Sequence, residues 1–138
     1  MQKLNEKGAG TRMIIIGEKL NSSIPKSKEL MANGDVQGLK DLVKQQVEAG
    51  VDYIDVNAGI FISTEVEMLK WLVNLVQEET EIPLCIDTTN SKALEAALKL
   101  SKQKAMINSI SLEESRFEKV SGLAIEHDSV VIGLCQKK

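Results

Sequence analysis

Acid and amide side chains recur just after short apolar runs in this chain: Glu18 and Asn21, Asp55 and Asn57, Asp87 and Asn90, and Asn108. A carboxylate accepts two N–H bonds side by side, and a carboxamide offers one donor group and one acceptor. Such a set suits a planar, nitrogen-rich ligand. It suits phosphate poorly, because no Lys or Arg recurs among these positions apart from Lys19. Asp87 is the hardest of them to explain by structure alone. It follows Leu84, Cys85 and Ile86, and an ionised carboxylate at the end of an apolar strand must be paired or hydrogen-bonded. Asn108, after Met106 and Ile107, stands in the same position. The others have simpler roles open to them. Asp55 equally suits a loop cap, Asn57 before Ala58-Gly59 suits a tight turn, and Asn90 suits the N-cap of a helix.

Covalent and metal chemistry find little to work with. His127 is the only histidine, so neither a Ser-His-Asp triad nor a multi-histidine metal site has support, and no directly bound metal is expected. Cys85 and Cys135 sit inside apolar runs. They read as reduced core thiols in a cytoplasmic setting rather than as a disulfide framework.

The elements that must position these groups alternate regularly. Residues 13–16 (MIII), 51–56 (VDYIDV), 83–87 (PLCID), 104–108 (KAMIN) and 129–135 (SVVIGLC) predict strands, the first of them stopped by Gly17. Between them, residues 35–49 place Leu39, Leu42, Val43 and Val47 at helical spacing, with Gly50 as a C′ stop. Thr64 and Glu67 predict a capping box for a helix over 64–79. Ser91 opens a third helix, for which Asn90 is the better cap, and Ser111 with Glu114 predicts a capping box for a fourth. The expected order is five strands and four helices, which means parallel pairing with crossover helices. An open parallel sheet and part of a (β/α) barrel both satisfy it. In either, strand C-terminal ends gather on one rim, and the acids and amides gather with them.

Composition bounds the reading. The chain has 138 residues, 43% apolar and 27% charged, with a net charge of −3, which suits a single folded domain. Residues 1–12 are polar and predict a flexible lead-in, without the apolar stretch of a signal peptide, ahead of a domain over 13–138. A mildly acidic balance without a basic tract argues against nucleic acid as a partner. No apolar run approaches the roughly 18 residues that a membrane span needs. No G-x-G-x-x-G or P-loop follows any strand, so nucleotide binding has no support either.

Five segments occur in order at suitable spacing: IIIGEKLN (14–21), YIDVNAG (53–59), LCIDTTN (84–90), AMINSIS (105–111) and VIGLC (131–135). Together they resemble the pterin-binding methyltetrahydrofolate:corrinoid/iron–sulfur protein methyltransferase family. That family is related to the folate domain of cobalamin-dependent methionine synthase and, more distantly, to dihydropteroate synthase. The resemblance implies transfer of the N5-methyl of methyltetrahydrofolate to the cobalt of a corrinoid (cobalamin) carried by a partner protein. It implies that Asp87 and Asn108 bind the pterin, with Glu18, Asn21, Asp55 and Asn57 at other recurrent rim positions; Asn90, by its place after the apolar run 83–87, is a further candidate rim contact. It implies a (β/α)8 TIM barrel of roughly 250 residues. Against that size the chain is expected to be the N-terminal part, about five strands and four helices. The family's later strands supply another pterin-binding aspartate and an asparagine near N5. Either a truncated or split gene product is therefore expected, or association with a second copy (a homo-oligomer) or a complementary fragment. A dihydropteroate synthase-like enzyme and a non-catalytic half-barrel are the alternatives.

Overall fold

The computed structural model of the chain describes residues 12–135. Apart from Arg12, the lead-in expected over 1–12 lies outside the described residues.

Five parallel strands form one sheet: β1 (Ile16–Asn21), β2 (Tyr53–Asn57), β3 (Leu84–Asp87), β4 (Met106–Ile110) and β5 (Val130–Gly133). They lie in the order β1-β2-β3-β4-β5. This order decides between the two architectures left open by the sequence. A doubly wound sheet reverses its order at a switch point and carries helices on both faces. An unbroken order with right-handed crossovers puts every helix on one face, as in the wall of a (β/α) barrel.

Five helices cover that face, one more than expected: α1 (Pro25–Ala32), α2 (Val36–Glu48), α3 (Glu65–Glu79), α4 (Ser91–Leu100) and α5 (Glu114–Glu126). The additional helix, α1, starts with Pro25 in its first turn, where a missing N–H costs nothing. It buries only Ser27 and Met31, so it lacks the apolar stripe by which the others announce themselves. Leu39, Leu42 and Val43 of α2 pack with Leu69, Leu72, Val73 and Val76 of α3 and Leu94, Ala97 and Leu98 of α4. This layer closes over Leu20, Ile54, Val56, Leu84, Ile86 and Ile107 of the sheet. Gly50 ends α2 at φ 81°, the left-handed conformation expected of a C′ glycine.

Several local expectations are corrected. The first strand is Ile16–Asn21 rather than 13–16: Gly17 lies inside it, and Met13, Ile14 and Ile15 are exposed at the sheet edge. The pairing of β1 with β2 slips between Gly17 and Leu20, and this bulge lets so polar a segment remain in the sheet. Gln46, not Val47, faces the core from α2, because its Nε2 donates to Leu42 O at 3.2 Å and its Oε1 accepts from Lys19 N at the bulge at 3.1 Å. Neither expected capping box forms as drawn: Thr64 occupies the N-cap of α3 without a side-chain bond, and α5 is capped at Glu113. Cys135 is exposed and β5 only half-covered, because β5 is an edge strand.

Candidate functional site

Strand register builds a polar row on the face away from the helices. Leu20, Ile54, Val56, Leu84, Ile86 and Ile107 point into the helical layer, so their neighbours along each strand point the other way. Asn21 pairs with Asn57, and Asp87 with Asn108. The partnership of Val56 with Ile86 places Asn57 beside Asp87 in the same register. Four strands thus present Asn21, Asn57, Asp87 and Asn108 side by side near their C-terminal ends. One step down the strands, Asp55 pairs with Cys85 and Cys85 with Met106.

Within this row the residues differ in what their side chains already do. Asn57 Oδ1 accepts from Ser22 Oγ at 3.0 Å and from Gly59 N at 2.9 Å. Buried Ser22 in turn accepts from Ile60 N, so Asn57 anchors the loop after β2 to the loop after β1. Asn21 Oδ1 accepts from Ser23 N at 2.8 Å and shapes the turn into α1. Asn90 is the N-cap of α4, accepting from Lys92 N and Ala93 N. Glu18 is exposed on β1. Asp87 and Asn108 are half-buried at the ends of adjacent strands, and the peptide bond after Asn108 is cis.

Asp55 is the deepest of the acids, with 0% of its surface exposed. Its Oδ2 accepts from Asn108 Nδ2 at 3.3 Å, and its Oδ1 is buried without a hydrogen-bond partner. Burial, and then the nearby Asp87 and Glu18 carboxylates, push its pKa from an ordinary 3.8 up to about 7, against the opposing help of Asn108 and Cys85. The Cys85 thiol is pushed far up by burial and by Asp55, so it is a poor nucleophile.

Two contacts that sequence inspection missed hold the rim together. Arg116 of α5 donates from Nη1 to Thr89 O at 2.9 Å and from Nη2 to Thr88 O and Ser109 O at 3.2 Å. One guanidinium thus ties the loop after Asp87 to the residue after Asn108. Thr88 Oγ1 also donates to the buried Glu65 carboxylate and accepts from Asn90 N at 3.0 Å. A lone Arg in a helix carries no sequence signal of such a bridge. Among the described residues, no group of three His, Cys, Asp or Glu side chains is placed to hold a metal ion. No helix of the described residues is long and apolar enough to cross a membrane.

A parallel, sequentially ordered sheet with acid and amide side chains gathered at its strand C-terminal ends is the arrangement of part of a (β/α)-barrel wall. The chain belongs to the pterin-binding enzyme family, whose model matches residues 18–137. It is 43% identical over 106 residues to the methylcorrinoid:tetrahydrofolate methyltransferase of Eubacterium limosum, covering 77% of this chain and 39% of that protein. It is 29% identical over 128 residues to the methionine synthase of Mycobacterium tuberculosis, covering 88% of this chain and 11% of that protein. The methionine synthase of Mycobacterium leprae is similar to the same extent. The chain therefore spans well under half the length of these relatives.

Proposed function

We propose that this chain holds the pterin of a tetrahydrofolate at the C-terminal ends of β3 and β4, for methyl transfer between folate N5 and the cobalt of a corrinoid carried by a partner protein. The observation that carries the reading is the register pairing of Asp87 with Asn108 on the open face of a family-matched sheet. A carboxylate there can accept two parallel N–H bonds from the amidine-like edge of a pterin. The carboxamide beside it supplies a donor and an acceptor to the same ring. Glu18 and the free amide nitrogens of Asn21 and Asn57 border the ligand, whereas Asn90 contributes by capping α4.

No covalent intermediate on the protein is required, which accords with a buried Cys85 whose thiol resists ionisation. The methyl group then passes directly between folate and cobalt. With the methyl attached, N5 is a neutral tertiary amine. Methyl leaving it as a cation equivalent puts the bond pair on N5, so N5 must gain a proton or a strong hydrogen bond to depart as the neutral secondary amine rather than as an amide anion. The name of the Eubacterium limosum relative describes transfer from methylcorrinoid to tetrahydrofolate, the reverse of the direction the family resemblance implied. By microscopic reversibility one site serves both directions, so the pterin contacts are the same. The corrinoid enters as the second substrate on its own protein. Exposed apolar side chains at both sheet edges, Met13, Ile14 and Ile15 beside β1 and Val130 and Leu134 at β5, support assembly with a second copy or a complementary fragment. The free thiols Cys85 and Cys135 support a cytoplasmic setting.

Calorimetric titration with tetrahydrofolate and methyltetrahydrofolate tests the reading. Asp87→Ala is expected to weaken binding by about 2–4 kcal/mol, the cost of stranding a ring N–H pair against a partly buried wall. Folate binding that ignores both Asp87→Ala and Asn108→Ala removes the site from this rim.

A further inference from the structure

Asp55 lies behind Asn108, not beside it. Its side chain is wholly buried, one oxygen accepts from Asn108 Nδ2 at 3.3 Å, and the other oxygen has no hydrogen-bond partner. A carboxamide has nearly the same shape when its oxygen and nitrogen exchange places, so the partner behind it decides which end faces forward. An ionised carboxylate only accepts. It therefore holds Nδ2 and turns Oδ1 of Asn108 outward. A protonated carboxyl also carries an O–H; with the proton on the oxygen that faces Asn108 it donates to Asn108 Oδ1, which turns the amide over and presents Nδ2 instead.

We propose that Asp55 is a positioning residue whose own protonation sets which end of the Asn108 carboxamide faces the open rim, and hence a ligand seated there. The rim ligand is the pterin of the preceding reading, on which this last step rests. The proton comes from solvent and returns to it, and no other bond changes. The groups that face Asp55 come from three strands. Glu18 of β1 and Asp87 of β3 are carboxylates that oppose its ionisation, whereas the Asn108 amide of β4, which donates to it, and the neighbouring Cys85 thiol of β3 favour it. Burial adds to the first pair, and the balance brings its titration to about 7. Both protonation states of Asp55 are then populated near neutral pH.

The coupling of Asp55 to Asn108 is readable without any ligand, and its effect on the face the amide presents is read by folate binding. In 15N–1H spectra of the full chain, the Asn108 side-chain amide, identified by its loss in Asn108→Ala, is expected to shift with a midpoint near neutrality. The shift is expected to vanish in Asp55→Asn, which keeps the shape of the carboxyl but does not titrate. An Asn108 amide that stays flat with pH, or that titrates unchanged in Asp55→Asn, overturns the proposal. Binding of tetrahydrofolate supplies a second arm. With a midpoint of about 7, only about one-tenth of the protein keeps the ionised arrangement at pH 6, so wild-type affinity is expected to fall about tenfold from its alkaline value. Asp55→Asn is expected to abolish that slope, and a slope that persists in this variant counts against Asp55. Absence of folate binding in the wild type, with the amide titrating as described, overturns the pterin reading while upholding the Asp55–Asn108 coupling.

Discussion

Replacing Asp55 by asparagine is expected to stabilise the fold at neutral and alkaline pH and to leave it nearly unchanged in acid. The folded carboxyl titrates at about 7 against an ordinary 3.8, because folding buries it completely and sets it near Asp87 and Glu18. The shift is upward, so between these values the native state keeps a proton that the unfolded chain has already lost. Wild-type stability therefore falls as pH rises through that window and levels off above it. At about 1.4 kcal/mol per pH unit, the gap amounts to on the order of 4 kcal/mol. That is a large share of the roughly 5–15 kcal/mol that holds a domain together. An amide at this position carries no charge to desolvate. It can accept from Asn108 Nδ2 as the carboxylate does, so little else is disturbed. Urea unfolding of both proteins from about pH 4 to pH 8 checks the difference, in which the titrations of other carboxylates cancel. The curves are expected to converge toward pH 4, to separate progressively up to about pH 7 and to keep a constant gap above it, with the variant the more stable. A variant no more stable than wild type at pH 8, or a gap of the same size at both ends of the range, would refute the reasoning.

Asn90→Ala is expected to cost about 1 kcal/mol of stability through loss of the α4 cap while leaving folate affinity within about twofold, measured by chemical denaturation and calorimetry side by side. A large loss of affinity without loss of stability would make Asn90 a ligand contact after all. Gly17→Ala is expected to destabilise by about 1–3 kcal/mol, since an added Cβ would collide with Gln46 Oε1 and approach Val51 Cγ1 to 3.1 Å. Displacing Gln46 also strands Lys19 N at the β1 bulge, so thermal unfolding of the variant should show a lowered midpoint.

The residue pattern already carried the alternation of strands and helices, because buried parallel strands are short apolar runs and their crossover helices repeat every three to four residues. It also carried the rim, because a polar residue that ends such a run stands at a strand's C-terminal end. Helix α1 escaped notice for the opposite reason: with Ser27 and Met31 as its only buried side chains, it has no stripe to read. The extension of β1 through Gly17-Glu18-Lys19 escaped it too, since a bulge breaks the alternation by which a strand is recognised.

Residue types in order thus determined that this is a parallel α/β chain of the pterin-binding kind with acids and amides along one rim. Division of labour along that rim was settled only in three dimensions. Asn57, Asn21 and Asn90 spend their side-chain oxygens on the loop after β2, a turn and a helix cap, and Asp55 sinks beneath Asn108. The physical reason is that hydrogen-bond partners and burial depend on residues far away in the chain. Asp55 and Asn108 lie 53 positions apart, with a whole strand between theirs in the sheet. Spacing along one chain reports which strand face a side chain takes, but only the packed sheet reports what stands behind it.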